Sequence, residues 1–291
     1  MGAGAVGCYF GARLREAGHD VRLIGRPAMV ESVSRQGLRL QSGAREAVIA
    51  LEATSDPAAV GDAEVVLFCV KSGDTETTGR TIAQHLAADC TVVCLQNGVD
   101  NAQRLSAVIG RPAVPAAVYV ALAMAGPGHV VHHGRGELII GPSPGSERIA
   151  AAFIAAGVPT QVTPAVIDAL WVKLTINCAY NALSALTQLP YGTLIRRPGI
   201  EATMRDIVEE CRCVAASVGT ALPARLWDDV LDISRTMAAQ LSSTAQDVAR
   251  KRRSEIEFIN GHVVRVADAH GVSVPLNRLL YGLIRIADDA V

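Results

Sequence analysis

Met1-Gly2-Ala3-Gly4-Ala5-Val6-Gly7-Cys8 opens the chain, with three glycines in the spacing Gly-x-Gly-x-x-Gly. Helical spacing follows at once from Val6 to Ala17, and a short apolar run, Asp20 to Ile24, comes next. A glycine-rich loop that opens a helix lets a pyrophosphate approach bare backbone and rest on the N–H groups of the first helical turn. Alone, such a triplet often marks only a tight turn. The helix and strand in this order make Gly2, Ala3, Gly4, Ala5, Val6 and Gly7 read as a dinucleotide loop.

The run after the loop ends in Gly25-Arg26, where an NAD site usually places a carboxylate for the ribose 2′-hydroxyl. Arg26 instead offers a guanidinium fork suited to a 2′-phosphate, so the expected cofactor is NADPH/NADP; the bland alternative is an exposed loop arginine. A dinucleotide fold also needs a buried strand directly before its glycines, and only Met1 precedes Gly2. The expectation is that the reading frame starts further upstream, with Met1 the last residue of that strand. It requires that the runs Asp20 to Ile24 and Glu64 to Val70 not be hydrogen-bonded directly to each other.

Outward from this segment, β-branched runs alternate with helical patterns. Strands are expected at Asp20 to Ile24, Glu64 to Val70, Thr91 to Leu95 and Ala113 to Leu122, and helices at Val6 to Ala17, Thr75 to Ala87 and Asn101 to Ile109. That alternation implies a parallel sheet covered by helices. Val130 to His132 and Glu137 to Ile140 read as a hairpin at its far edge, with Gln161 to Thr163 as a last strand. Beyond Pro164 strand signals stop, and helices are expected over Ala165 to Leu186, Ile200 to Val218, Leu226 to Leu241 and Glu255 to His270. The fold class is therefore α/β: a Rossmann-type dinucleotide-binding domain over 1–164, then an all-helical domain over 165–291.

Composition narrows the function classes. The 27 basic and 28 acidic side chains nearly cancel, so no global field draws in nucleic acid or an anionic membrane. The seven cysteines are odd in number, mostly set in apolar runs and without metal-ligand spacing; they read as reduced residues of a cytoplasmic protein, and no metal is expected. No run approaches the roughly 20 apolar residues of a membrane span. The basic run Arg250 to Arg253 reads as a solvated turn or helix face.

The helix Ala165 to Leu186 is apolar almost all round and should be buried, yet Lys173, Asn177 and Asn181 recur every fourth residue. One cation and two amides thus form a single stripe, costly to bury without partners. A surface-reaching lysine and two structural amides would be the bland explanation. A substrate carbonyl and carboxylate would satisfy all three, and a lysine in a dry cleft can have its pKa lowered enough to donate a proton near neutral pH. Asn97-Gly98 and Lys71 follow apolar strands, at the carboxyl edge where open α/β sheets bind ligands, although each could be a plain turn residue. Ser243 with Gln246, and Ser254 with Glu257, could be helix capping boxes; Ser243 and Glu255 are equally candidates for a site.

Taken together, the glycine loop, Lys71, Gln96-Asn97-Gly98, Trp171 through Lys173 and Asn177 to Asn181, and Ser242-Ser243 through Gln246-Asp247 to Glu255 and Asn260-Gly261 resemble the ketopantoate reductase (2-dehydropantoate 2-reductase) family, in order and over nearly the whole chain. The resemblance implies NADPH-dependent reduction of a small 2-oxo acid, ketopantoate, to pantoate on the route to coenzyme A, by a monomer or homodimer. It implies that Lys173 is the general acid and that Asn97, Asn177, Asn181 and Ser243 hold substrate. Glu255 would lie beside the nicotinamide and the lysine, Asn97 would also touch the cofactor, and Arg26 and Lys71 would engage its phosphate and ribose end. Some members carry a substrate-binding asparagine where this chain has Tyr191. The alternatives are a reductase or dehydrogenase of another small branched 2-oxo or hydroxy acid and, more distantly, a non-catalytic NADPH-binding module.

Overall fold

The computed structural model describes residues 1–290. It divides into two compact units, Met1–Val166 and Ile167–Val291.

The first unit runs α1 (Ala5–Glu16), β1 (Arg22–Ile24), α2 (Pro27–Gln36), β2 (Leu38–Ser42), β3 (Arg45–Ile49), β4 (Glu52–Thr54), β5 (Val65–Phe68), α3 (Thr75–Ala83), β6 (Thr91–Cys94), α4 (Asn101–Ile109), β7 (Ala113–Gly126), β8 (His129–Ile140), α5 (Ser146–Ala155) and β9 (Thr160–Val162). Seven strands form one sheet in the order β3-β2-β8-β7-β6-β5, with β9 on β8. β5, β6 and β7 are parallel, and β7 and β8 are antiparallel. The period of two sends alternate side chains of β6 to opposite faces. Val93 joins Phe10, Leu138 and Phe153 in one core, while Val92 and Cys94 join Phe68, Ile82 and Leu105 in the other.

β1 and β5 are not paired. β1 pairs with β4 in a separate two-stranded sheet, and a cavity of about 540 Å³ lies beside β1 and β5, lined by Leu14, Ile24, Leu67 and Phe153 among others. Met1 spans it at one end. Its ammonium donates to the Leu67 carbonyl at 2.8 Å, its carbonyl accepts from Cys69 N–H at 2.8 Å, and Gly2 N–H donates to the Ile24 carbonyl at 2.9 Å.

The structure corrects the expected elements in several places. The supposed hairpin between Val130 and Ile140 is one long strand, β8, whose partner is β7. Gly134, Arg135 and Gly136 all have positive φ, but they interrupt register against β7 rather than reversing the chain. The β2-β3 hairpin, β4 and the helices α2 and α5 were not expected.

The second unit holds α6 (Val166–Thr187, beginning one residue earlier), α7 (Tyr191–Leu194), α8 (Ile200–Ser217), α9 (Leu226–Thr236), α10 (Ser243–Ala249), α11 (Asn260–His270) and α12 (Pro275–Asp289). α6 is its central rod: Leu174, Cys178, Ala179 and Ala182 are almost wholly buried, and Tyr180 donates its hydroxyl to the Val230 carbonyl of α9 at 2.7 Å. Three expectations shift here. The helix from Leu226 stops at Thr236, Ile256–Phe258 is a 3-10 turn preceding α11, and α12 was not expected. Mixed α/β followed by all-helix is the architecture observed. No described helix is long and apolar enough to cross a membrane.

Candidate functional site

The glycine loop sits on the carboxyl ends of β1 and β5. Gly2 and Ala3 donate their N–H groups to the Ile24 carbonyl at 2.9 and 3.0 Å, and the first bond of α1 runs from Cys8 N–H to the Gly4 carbonyl at 2.9 Å. The N–H groups of Ala5, Val6 and Gly7 therefore have no acceptor within the helix, and they form the positive end of its dipole. Each glycine has its own reason. A Cβ on Gly2, at φ +89°, would lie 2.6 Å from Val70 N, and one on Gly7 would lie 2.5 Å from the Gly2 carbonyl oxygen. A Cβ on Gly4 would meet nothing within 4 Å, so Gly4 is the open side where a phosphate can approach backbone. This cradle fits the pyrophosphate of a dinucleotide.

Arg26 is the N-cap residue of α2, one residue beyond β1, exposed and without an ion pair among the described residues. A free guanidinium there suits the 2′-phosphate of NADPH. Lys71 is exposed at the end of β5, at the start of the 3-10 turn Ser72–Asp74.

Asn97 follows β6, and its loop is tied to the Lys71 loop through residues of which the sequence motifs had named only Gln96. The Asn97 carbonyl accepts from Ser72 Oγ at 3.0 Å and from Asn101 Nδ2 at 2.5 Å. Gln96, 5% exposed, donates to the Val70 carbonyl at 2.9 Å and to Thr75 Oγ1 at 2.8 Å. Arg104 reaches from α4 across both loops, bonding Asn101 Oδ1 at 2.9 Å, the Ser72 carbonyl at 3.0 Å and the Glu76 carboxylate at 2.7 and 2.8 Å. Those hydrogen bonds hold the Glu76 carboxyl below the ordinary carboxylate range. The Cys94 thiol, buried beneath and donating to Gln96 Oε1, is pushed up to about 12 by desolvation and stays protonated. Ser72, Gln96 and Asn97 are thus fixed by a network that includes bonds of long sequence separation, and the signal in the sequence was only that these polar residues follow two apolar strands.

In the second unit, Lys173, Asn177 and Asn181 lie on successive turns of α6. Lys173 and Asn177 are half-buried and Asn181 is 2% exposed, so the stripe runs from accessible to enclosed. Two other polar side chains of α6 are spent within the unit: Thr175 donates to the Trp171 carbonyl at 2.9 Å and Ser184 to the Leu189 carbonyl at 3.0 Å. The start of α10 is tied to the buried end of the stripe by Ser242, whose hydroxyl donates to the Asn181 carbonyl at 3.1 Å and accepts from Ala245 N–H at 3.0 Å. Ser242 is therefore the cap, not Ser243. Ser243, one residue into α10, is exposed and is not the capping residue.

Glu255 is half-buried in the turn before α11, flanked by the buried Ile256. The capping box considered for Ser254 and Glu257 does not form; Ser254 bonds Asp288 and Glu257 bonds Tyr281. Tyr191 is buried against Tyr180, with ring centroids 4.7 Å apart, and burial raises its phenol well above the ordinary value. It serves the core of this unit. Arg250 to Arg253 are exposed.

Two family models match the chain. "Ketopantoate reductase PanE/ApbA" covers residues 1–145, and "Ketopantoate reductase PanE/ApbA C terminal" covers residues 165–288. A PanE/ApbA family ketopantoate reductase from Ralstonia eutropha is 51% identical, with a TM-score of 0.96 over 100% of this chain and 97% of that one. The 2-dehydropantoate 2-reductase of Archaeoglobus fulgidus is 32% identical over 98% of this chain and 95% of its own. The fold is shared with D-mandelate dehydrogenase, solved with NADH and anilino(oxo)acetate, at a TM-score of 0.93 and 22% identity over 99% of this chain and 97% of that one.

Proposed function

Because this chain belongs to the ketopantoate reductase family, we propose that it reduces 2-dehydropantoate to pantoate with NADPH, a step toward coenzyme A. The observation that carries the residue assignments is the α6 stripe: one ammonium and two amides in register on a largely buried helix, with Thr175 and Ser184 bonded to carbonyls of their own unit. A 2-oxo acid presents a carbonyl oxygen and a carboxylate, acceptors to which an ammonium and two amides can bond.

When bound, NADPH supplies the hydride. Gly2 to Gly7 and the first turn of α1 would hold its pyrophosphate and Arg26 and Lys71 its 2′-phosphate and ribose end, while Asn97 would also touch it. Lys173 Nζ gives a proton to the C2 oxygen as negative charge develops there, which keeps an alkoxide from forming unassisted. Asn177, Asn181 and Ser243 orient the acid by hydrogen bonds, and Glu255 lies beside the reacting groups. The reaction belongs to the cytoplasm, the compartment that seven reduced cysteines suit.

The shared fold of D-mandelate dehydrogenase makes another 2-oxo acid the second reading. NADPH consumption with ketopantoate against 2-oxoisovalerate and benzoylformate decides between them. A kcat/KM highest for ketopantoate by about tenfold or more supports the proposal, and a preference for either of the others replaces the substrate.

A further inference from the structure

We infer that α12 is a clamp that fixes the turn bearing Glu255, with Asn277, Tyr281 and Asp288 as positioning residues. The inference rests on the role given to Glu255 above, while the geometry stands by itself within the second unit.

Three contacts run antiparallel along one helix face. Asn260 Nδ2 donates to Asn277 Oδ1 at 2.9 Å, Tyr281 donates its hydroxyl to Glu257 Oε2 at 2.5 Å, and Ser254 donates its N–H and hydroxyl to the two Asp288 oxygens at 3.0 and 2.8 Å. Positions 277, 281 and 288 fall within about 40° of one another on a 3.6-residue helix and span roughly 16 Å along it. Residues 260, 257 and 254 meet them in reverse order, so the short segment is held at both ends and in its middle.

Two of the three contacts are themselves held. Glu210 of α8 accepts Leu276 N–H at 2.8 Å, Asn277 N–H at 2.9 Å and Asn277 Nδ2 at 2.8 Å. That carboxylate takes the Asn277 amino group, which leaves its carbonyl to face Asn260; both asparagines are wholly buried. Arg265 donates to the Glu257 carbonyl at 2.9 Å and pairs with its carboxylate at 2.5 Å, the anion that the Tyr281 hydroxyl also meets. The Tyr281 ring closes over Gly261, where a Cβ would come within 2.8 Å of Cε2. Ile256 and Ile259, each 1% exposed, anchor the apolar side of the turn. Glu255 lies between two of these held residues, Ser254 and Glu257. It is carried on a backbone that α12 immobilises, which is how a remote helix sets the position of a carboxylate.

The test uses Asp288→Ala and Tyr281→Phe, each removing a bond near the surface, with Asp288→Asn as the conservative variant. Hydrogen exchange over residues 254–260 is measured first and needs no substrate. Both disrupting variants should exchange there faster than the parent by about tenfold, and unchanged exchange overturns the clamp. With ketopantoate, kcat should then fall by about five- to tenfold, while KM for NADPH moves less than about twofold and Tm changes by only a few degrees. Asp288→Asn should recover most of kcat. A parent-like kcat, or a loss that tracks Tm and is not recovered by Asp288→Asn, refutes positioning. A parent inactive toward every 2-oxo acid tried, yet showing the exchange change, sinks the proposed function and leaves the clamp standing.

Discussion

Arg104→Met tests whether the loops carrying Lys71 and Asn97 are held by the network described above. Methionine keeps the length of the side chain's stem and deletes the guanidinium. Asn101 Oδ1, on a side chain 1% exposed, then loses its donor, at about 1–3 kcal/mol for an unsatisfied buried acceptor. Glu76 loses a bidentate partner, but its side chain is 35% exposed and regains water, so that part is discounted to about 1 kcal/mol. The Ser72 carbonyl keeps the Thr75 hydroxyl at 2.9 Å and adds little. The sum, about 3 kcal/mol, lowers Tm by roughly 6–12 °C for a unit of this size. The loss has a pH signature. Because Arg104 depresses the Glu76 pKa in the folded state, the unfolded carboxyl takes up its proton first as pH falls. The stabilisation is complete above the ordinary carboxylate pKa and disappears as pH drops through the depressed one. The gap in Tm between parent and variant should therefore be full at pH 7 and narrow below about pH 4. Thermal unfolding across pH, with NADPH titrated by fluorescence, reads both effects. A Tm within 2 °C of the parent at pH 7, with NADPH affinity unchanged, would refute the reasoning.

The glycines predict a separation of stability from binding. Gly4→Ala points a methyl into open space and should leave Tm unchanged while weakening NADPH binding about tenfold or more; Gly7→Ala drives a Cβ into the Gly2 carbonyl and should lower both. Equal behaviour of the two variants would contradict the assignment of Gly4 to the phosphate side. A five-residue β-branched extension fused ahead of Met1 should enter the cavity beside β1 and β5, pair with both edges and replace a buried ammonium by an amide. A net gain of about 2 kcal/mol after ordering raises Tm by roughly 4–8 °C. No rise, with the added residues exchanging freely, would show that the cavity does not accept a strand.

How much of this was legible in the sequence follows the range of the forces. The glycine loop and the α6 stripe are local patterns, a turn chemistry and a period of four, and both could be read directly. The β2-β3 hairpin and β4 were not, because charged Arg39, Arg45 and Glu46 break the apolar alternation; β2 also pairs with the distant β8, and β4 with β1. Gly134-Arg135-Gly136 looked like a turn because a bulge and a turn demand the same positive φ. On α12, Leu279, Leu283 and Ile286 are exposed, which blurs its apolar face. Ser254 met Asp288, 34 residues away, where only a local cap could be read from spacing.

The most direct measurement compares Lys173→Ala with the parent enzyme in single-turnover reduction of ketopantoate, with NADPH affinity determined on the same samples. A general acid at this position predicts a rate lower by about two to four orders of magnitude with NADPH binding intact. A variant that turns over at the parent's rate, or one that is slow only because it no longer holds NADPH, would take the chemistry away from α6.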